Sequence, residues 1–92
     1  MKELICNQAL ELKYQWGFGA WTYHLVIPGT AQLEGKWGLL KVSGTIDGFP
    51  VNNINLAPRK NSDRIISINK SIRDAIGKTG GDTVMVTLYV HL

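Results

Sequence analysis

Alternation of apolar and polar residues with period two recurs along this chain and restricts its fold more than any other feature. Such a pattern makes one dry and one wet face only on a β-strand. In "ALELKYQW", Leu10, Leu12, Tyr14 and Trp16 share one face, and Glu11, Lys13 and Gln15 the other. "WTYHLVIP" aligns Tyr23, Leu25 and Ile27 and is ended by Pro28, which has no amide hydrogen for a ladder. "GLLKVSGTI" sets Leu40, Val42, Gly44 and Ile46 against Lys41, Ser43 and Thr45. "DGFP" at 47–50 is a tight turn leading into "VNNINL", so these two segments form a hairpin. "RIISI" and "TVMVTLYVHL" complete the set, the latter with Val84, Val86, Leu88 and Val90 inward. Six strands are expected.

One segment, "INKSIRDAIGKTGGDTV" at 68–84, breaks the alternation. Ile68, Ile72, Ala75 and Ile76 fall at i, i+4, i+7 and i+8, an apolar helical stripe, with Lys70, Arg73 and Asp74 facing away. Asn69 can cap the helix start and Gly77 can adopt the left-handed conformation that closes its end, which places a helix near 70–76. About two turns do not persist alone in water, so packing must hold this helix, as a plug over one end of a barrel.

The halves "HLVIPGTAQLEGKWGLLKVSGTI" and "IISINKSIRDAIGKTGGDTVMVTLYV" each run as apolar strand, a Pro or Asn stop, a glycine-containing crossover and a longer strand. They line up as a candidate internal duplication with pseudo-twofold symmetry, each half giving an interlocking hairpin. Closure would remove exposed sheet edges. The expected fold is mainly β: a six-stranded closed or double-split β-barrel with one short helix, formed by residues 8–92 of a single domain spanning 1–92.

Composition fits one small core, with 92 residues of which 45% are hydrophobic. The lone Cys6 rules out an intramolecular disulfide, and "MKELICNQAL" has neither the apolar run nor the processing site of a signal peptide, so a cytoplasmic location is expected. "YHLVIPG" is interrupted by His24 and Pro28, and no stretch approaches the roughly 20 apolar residues of a membrane span. The net charge of +3 arises from ten Lys and Arg against seven Asp and Glu, scattered except for "PRK" at 58–60. That describes a solvated surface better than a nucleic-acid tail.

"INKSIRDAIGKTGGDTVMV" resembles the swapped-hairpin signature of AbrB/MazE-type transcription factors, a match over less than a third of the chain. "WTYHLVIP", "GLLKVSGTIDGFPVNNINLAP" and "INKSIRDAIGKTGGDTVMVTL", in that order and over nearly the full length, more closely resemble a bacterial family of small barrels known as domain of unknown function nineteen-oh-five. That resemblance implies a six-stranded double-split-type barrel, sometimes fused to a bacteriocin-protection domain, and implies no activity. Asn69 stands where the AbrB-type pattern has proline, which keeps a cap. The ending "YVHL" lacks the acidic residue of many members of the barrel family, which weakens any site built on that carboxylate.

The chemistry-bearing residues are sparse. His24, His91 and Cys6 sit on separate segments, short of the three or four converging ligands a metal needs, so neither metal nor cofactor is expected. Ser43, Ser62, Ser67 and Ser71 have no nucleophile-elbow context, and Cys6 precedes the first expected strand. Asp47 and Asp82 stand beside glycines in turns, where an Asx hydrogen bond is their ordinary role, Asp82 having Arg73 as an additional possible partner. The glycines of "GKTGGDT" follow a helix rather than open one and are no phosphate loop.

The aromatics stand out. Trp16, Phe18 and Trp21 lie within six residues in the connection "WGFGAW", and Trp37 lies in a later loop. Trp16, Trp21 and Trp37 are candidates to line a groove at the barrel mouth; capping the core is the competing role. The expected function is a noncatalytic binding module for a small molecule or protein partner, acting as a monomer or weak homo-oligomer. The alternative is an AbrB-like DNA-binding module with Arg59, Lys60, Lys70, Arg73 and Lys78 on phosphates. An enzyme of unrecognised type is third.

Overall fold

A computed structural model describes residues 2–17, 19–31, 40–59 and 62–91. It contains β1 (Lys2–Glu11), β2 (Lys13–Tyr14), a 3-10 turn (Gly19–Trp21), β3 (Tyr23–Val26), β4 (Leu40–Ile46), β5 (Phe49–Arg59), β6 (Ser62–Ser67), α1 (Lys70–Ile76) and β7 (Thr83–His91). The strands form one antiparallel sheet in the order β1-β7-β4-β5-β6-β3-β2, curled into an open half-barrel.

Two expectations are corrected here: seven strands are described rather than six, and the barrel is not closed. "ALELKYQW" does not make one strand with one partner. Up to Leu12 the segment bonds to the β7 side, where the Leu12 amide donates to Asp82 O at 2.8 Å and its carbonyl accepts from Gly81 N at 2.8 Å. Past Leu12 it changes partner, and Lys13 and Tyr14 pair with His24 and Tyr23 of β3. The two ends of the sheet are thus joined by chain continuity at Leu12 and not by a ladder between β1 and β2. The face assignment changes with the partner, so Leu12 is buried while Tyr14 and Trp16 are exposed.

The first strand also begins earlier than the alternation indicates, at Lys2, and Cys6 lies within it, exposed. Register shifts between Glu3 and Ile5 and between Ile5 and Gln8, with Asn7 at φ 50°, flip the side-chain parity, so the odd-numbered Ile5 and the even-numbered Leu12 both reach the core. β5 does the same. Asn53 at φ 54° accompanies a register shift against β4, and the buried positions change from Val51 to Leu56.

The β4–β5 hairpin turns through Asp47 and Gly48, at φ 50° and 80°, the two positive values that a two-residue primed turn demands. The Asp47 carboxylate does not serve its own turn. Oδ1 accepts the Met85 amide at 2.7 Å while the Asp47 amide donates to Met85 O at 2.7 Å, tying the turn to β7.

The helix forms where its signals place it. Asn69 Oδ1 accepts the Ile72 amide at 2.9 Å, and Gly77 is left-handed at φ 67° with its amide on Arg73 O. Ile68 and Ile72 belong to the core with Leu12, Leu25, Ile27, Val42, Ile46, Leu56, Ile66, Val84, Val86, Leu88 and Val90, and Ile76 packs against it half-buried. The buried stripe is therefore i, i+4, i+8; Ala75, at its flank, is exposed. Arg73 does not face away either. Its guanidinium lies 3.8 Å from the centre of the Tyr23 ring and donates to Ile68 O at 2.8 Å, which half-buries it.

Candidate functional site

A groove of about 320 Å³ opens between β5 and β6 and is lined by Trp21, Asn53, Ile54, Asn55, Ser67 and Asn69. Strand register explains where it lies. β5 and β6 pair at Ala57↔Ile65 and Arg59↔Ser62. Continued toward the start of β5, the Ala57↔Ile65 pairing would set Asn55 opposite Ser67 and Asn53 opposite Asn69, the four polar residues of the groove's described lining. The ladder lapses there for two reasons. β5 is bent by the bulge at Asn53, and β6 ends at Ser67 as the chain turns into α1, the Ile68 amide donating to Tyr23 O at 2.9 Å on the other side.

Each wall is held by local chemistry. Trp21 ends the 3-10 turn, in which Gly19 O accepts the Thr22 amide at 3.1 Å and the Thr22 hydroxyl at 2.7 Å. Trp21 O accepts from His24 Nδ1 at 2.8 Å, and since a carbonyl only accepts, that ring nitrogen carries the proton. His24 is thus a buried, hydrogen-bonded strand residue that positions the indole segment. Asn69 faces the groove while its Oδ1 caps α1, which leaves its NH₂ as a donor. Asn53 and Asn55 are exposed, and their carboxamides make no hydrogen bond to the described residues.

Of the expected aromatic residues, Trp21 lines the groove and is half-buried, whereas Trp16 is 85% exposed and does not line it. Phe18, Trp37 and Lys60 lie outside the described residues. The other basic candidates are engaged locally. Arg59 Nε donates to Asp63 O at 2.9 Å, Lys70 pairs with Asp74 at 2.7 Å, Arg73 covers Tyr23, and Lys78 reaches Thr83 O at 2.9 Å and Asp47 at 3.5 Å. The Asp82 carboxylate accepts the Thr79 amide at 2.8 Å, in its own turn, and not Arg73. Sequence reasoning missed Asn53, Ile54, Asn55, Ser67 and Asn69 as lining residues. A signal existed in "VNNINL": carboxamides are poor strand formers, and three of them within one strand call for an explanation other than strand propensity.

One further cluster lies on β4, β5 and β7. Ser43 Oγ is 2.7 Å from His91 Nε2 and accepts the Asn53 amide at 3.0 Å. The serine satisfies an amide that the bulge withdraws from the ladder, and among the described residues no carboxylate holds the other imidazole nitrogen. Through these two contacts Ser43 ties β4 to β7 and to β5. No group of three or more His, Cys, Asp and Glu that could hold a metal ion occurs among the described residues. Nor is any helix among them long and apolar enough to cross a membrane.

The fold and site define an antiparallel half-barrel with a groove, uncharged among its described lining residues, at a lapse in its sheet. The chain matches the family described as Domain of unknown function (DUF1905) over residues 11–88 and belongs to that family. Comparison with curated proteins and with solved structures found no match.

Proposed function

We propose that this chain is a noncatalytic binding module whose receiving site is the groove between β5 and β6. The observation that carries the reading is the convergence of one indole and three carboxamides, with no charged side chain among the described lining residues, in a groove of about 320 Å³. Apolar surface with a few placed polar groups, at the small end of the roughly 300–1,000 Å³ of ligand clefts, is what a binding site requires. Carboxamides donate and accept without charge, so the fitting ligand is neutral and polar with one apolar face. The test is an NMR titration of the ¹⁵N-labelled chain with monosaccharides, nucleosides and blocked dipeptides. The side-chain amide resonances of Asn53, Asn55 and Asn69 and the Trp21 indole should move together. A panel that moves only the exposed Trp16 indole, or nothing, would sink the reading.

The AbrB-like DNA reading stands second, because Arg59, Lys70, Arg73 and Lys78 are already engaged with groups of the chain itself. A gel-shift titration at about 100 mM salt should give no binding tighter than the weak micromolar nonspecific range. Submicromolar, sequence-selective binding would reverse the order. Antiparallel pairing of β3 with β6 and of β4 with β7 supports the duplicated-halves reading, since a two-fold axis would pair each strand with its counterpart in this way.

A further inference from the structure

We propose that the groove takes a short segment of extended peptide and recognises its main chain; this rests on the groove being the receiving site. A carboxamide presents the same planar donor and acceptor as a peptide group, so an Asn side chain can exchange two hydrogen bonds with one amide of a bound chain. Asn53 and Asn55 are exposed, line the groove and leave their carboxamides unengaged by the described residues. They stand two positions apart on β5. Along a strand that step is about 6.5 Å, close to the repeat at which amides on one side of an extended peptide recur.

The setting favours a strand-like guest. The groove lies where the β5–β6 pairing would continue and does not, so an extended segment placed there occupies the position of the missing ladder. Trp21 and Ile54 offer apolar surface for one side chain of the guest. The described lining residues are uncharged and match an uncharged segment. Asn53 to Asn55 spans room for only about three residues of extended chain. A pyranose can also stack on an indole and bond to carboxamides, but lacks the two-residue repeat; it serves as the comparator.

Four titrations of the ¹⁵N-labelled full chain test this: acetyl-Gly-Leu-Gly-amide, the same peptide methylated at every amide nitrogen, methyl glucoside, and the unmethylated peptide against Asn55→Asp. The unmethylated peptide should shift the Asn53 and Asn55 side-chain amides and the Trp21 indole, and methylation should weaken it at least tenfold. Asn55→Asp, which removes the NH₂ donors of an exposed side chain, should weaken it about tenfold, the size of one good hydrogen bond, with an unchanged denaturation midpoint. Equal binding of the methylated peptide overturns main-chain recognition, as do peptide shifts confined to other parts of the chain. Binding of the glucoside at the groove without the peptide overturns this proposal and leaves the binding-module reading standing. Silence of the groove toward every probe overturns both.

Discussion

The two sides of the half-barrel are built differently. On one side β1, β7, β4 and β5 have ten, nine, seven and eleven residues and pair along most of their lengths. On the other, β2 has two residues, β3 four and β6 six, and β5 meets β6 at one end only. Long ladders place alternate residues continuously in the core, as Val84, Val86, Leu88 and Val90 do on β7. Short ladders leave strand positions paired on one side only, as Asn55 is with Lys41 and Ser67 with His24, and the groove lies in the gap between them. Stability should therefore reside in the first side and binding in the second, the division expected when sites are drawn from the less stable parts of a fold.

The sharpest way to break this comparison is Gly44→Ala, in the middle of the long-ladder side. A Cβ there would sit 2.0 Å from Thr87 O and 2.9 Å from Thr87 C, backbone atoms of the adjoining strand. No side-chain rotation relieves such a clash, so β4 and β7 must separate. The expected cost is about 3 kcal/mol, the upper end of ordinary overpacking, or loss of the fold. Chemical denaturation reads the outcome. A near-neutral substitution would show that the β4–β7 ladder is not what holds the domain.

Ile72→Ala comes next. Ile72 is buried in the common core from the short helix between β6 and β7, so its loss should cost about 2–4 kcal/mol through lost burial and a cavity. Ile76, only half-buried, should cost less when changed to Ala, about 1–2 kcal/mol. Equal effects would mean that Ile76 is buried as deeply as Ile72.

The same contrast governs what the sequence could reveal. Where signals are local the structure follows them: Asn69 and Gly77 delimit the helix, and Asp47-Gly48 makes the hairpin turn. Where a feature depends on partners distant in sequence, pattern fails. The change of partner at Leu12 leaves no trace in the alternation of "ALELKYQW", because an outward residue and an inward one are defined only relative to a neighbouring strand. Bulges at Asn7 and Asn53 flip parity for the same reason. The groove was legible only as the indole of Trp21, since its other wall is made by a ladder that does not form, and no motif encodes a missing pairing.

Asn69→Ala acts where the two sides meet, because Asn69 both caps α1 and lines the groove. Loss of the cap should cost about 1 kcal/mol. Asn69→Ser, which retains a capping oxygen, should recover most of that stability without restoring the groove carboxamide. If Ser rescues nothing, the residue matters for its groove contacts and not for the cap.

The smallest effect is expected at Lys70, and it tests the orientation of the whole helix. Lys70 is 79% exposed and its ion pair to Asp74, itself 65% exposed, spans i to i+4 at 2.7 Å. An exposed pair of this kind contributes about 0.3–0.5 kcal/mol, and a lysine in the first helical turn faces the positive end of the helix dipole, which offsets part of that gain. Lys70→Ala should therefore change stability by less than about 0.5 kcal/mol, whereas Arg73→Ala, which strips a guanidinium from the Tyr23 ring and from Ile68 O, should cost about 1 kcal/mol. Denaturation midpoints of the two variants beside Ile72→Ala give the ranking Ile72, Arg73, Lys70. Should Lys70→Ala destabilise as much as Ile72→Ala, α1 presents its other face to the core, and the wall that Asn69 gives to the groove is misplaced with it.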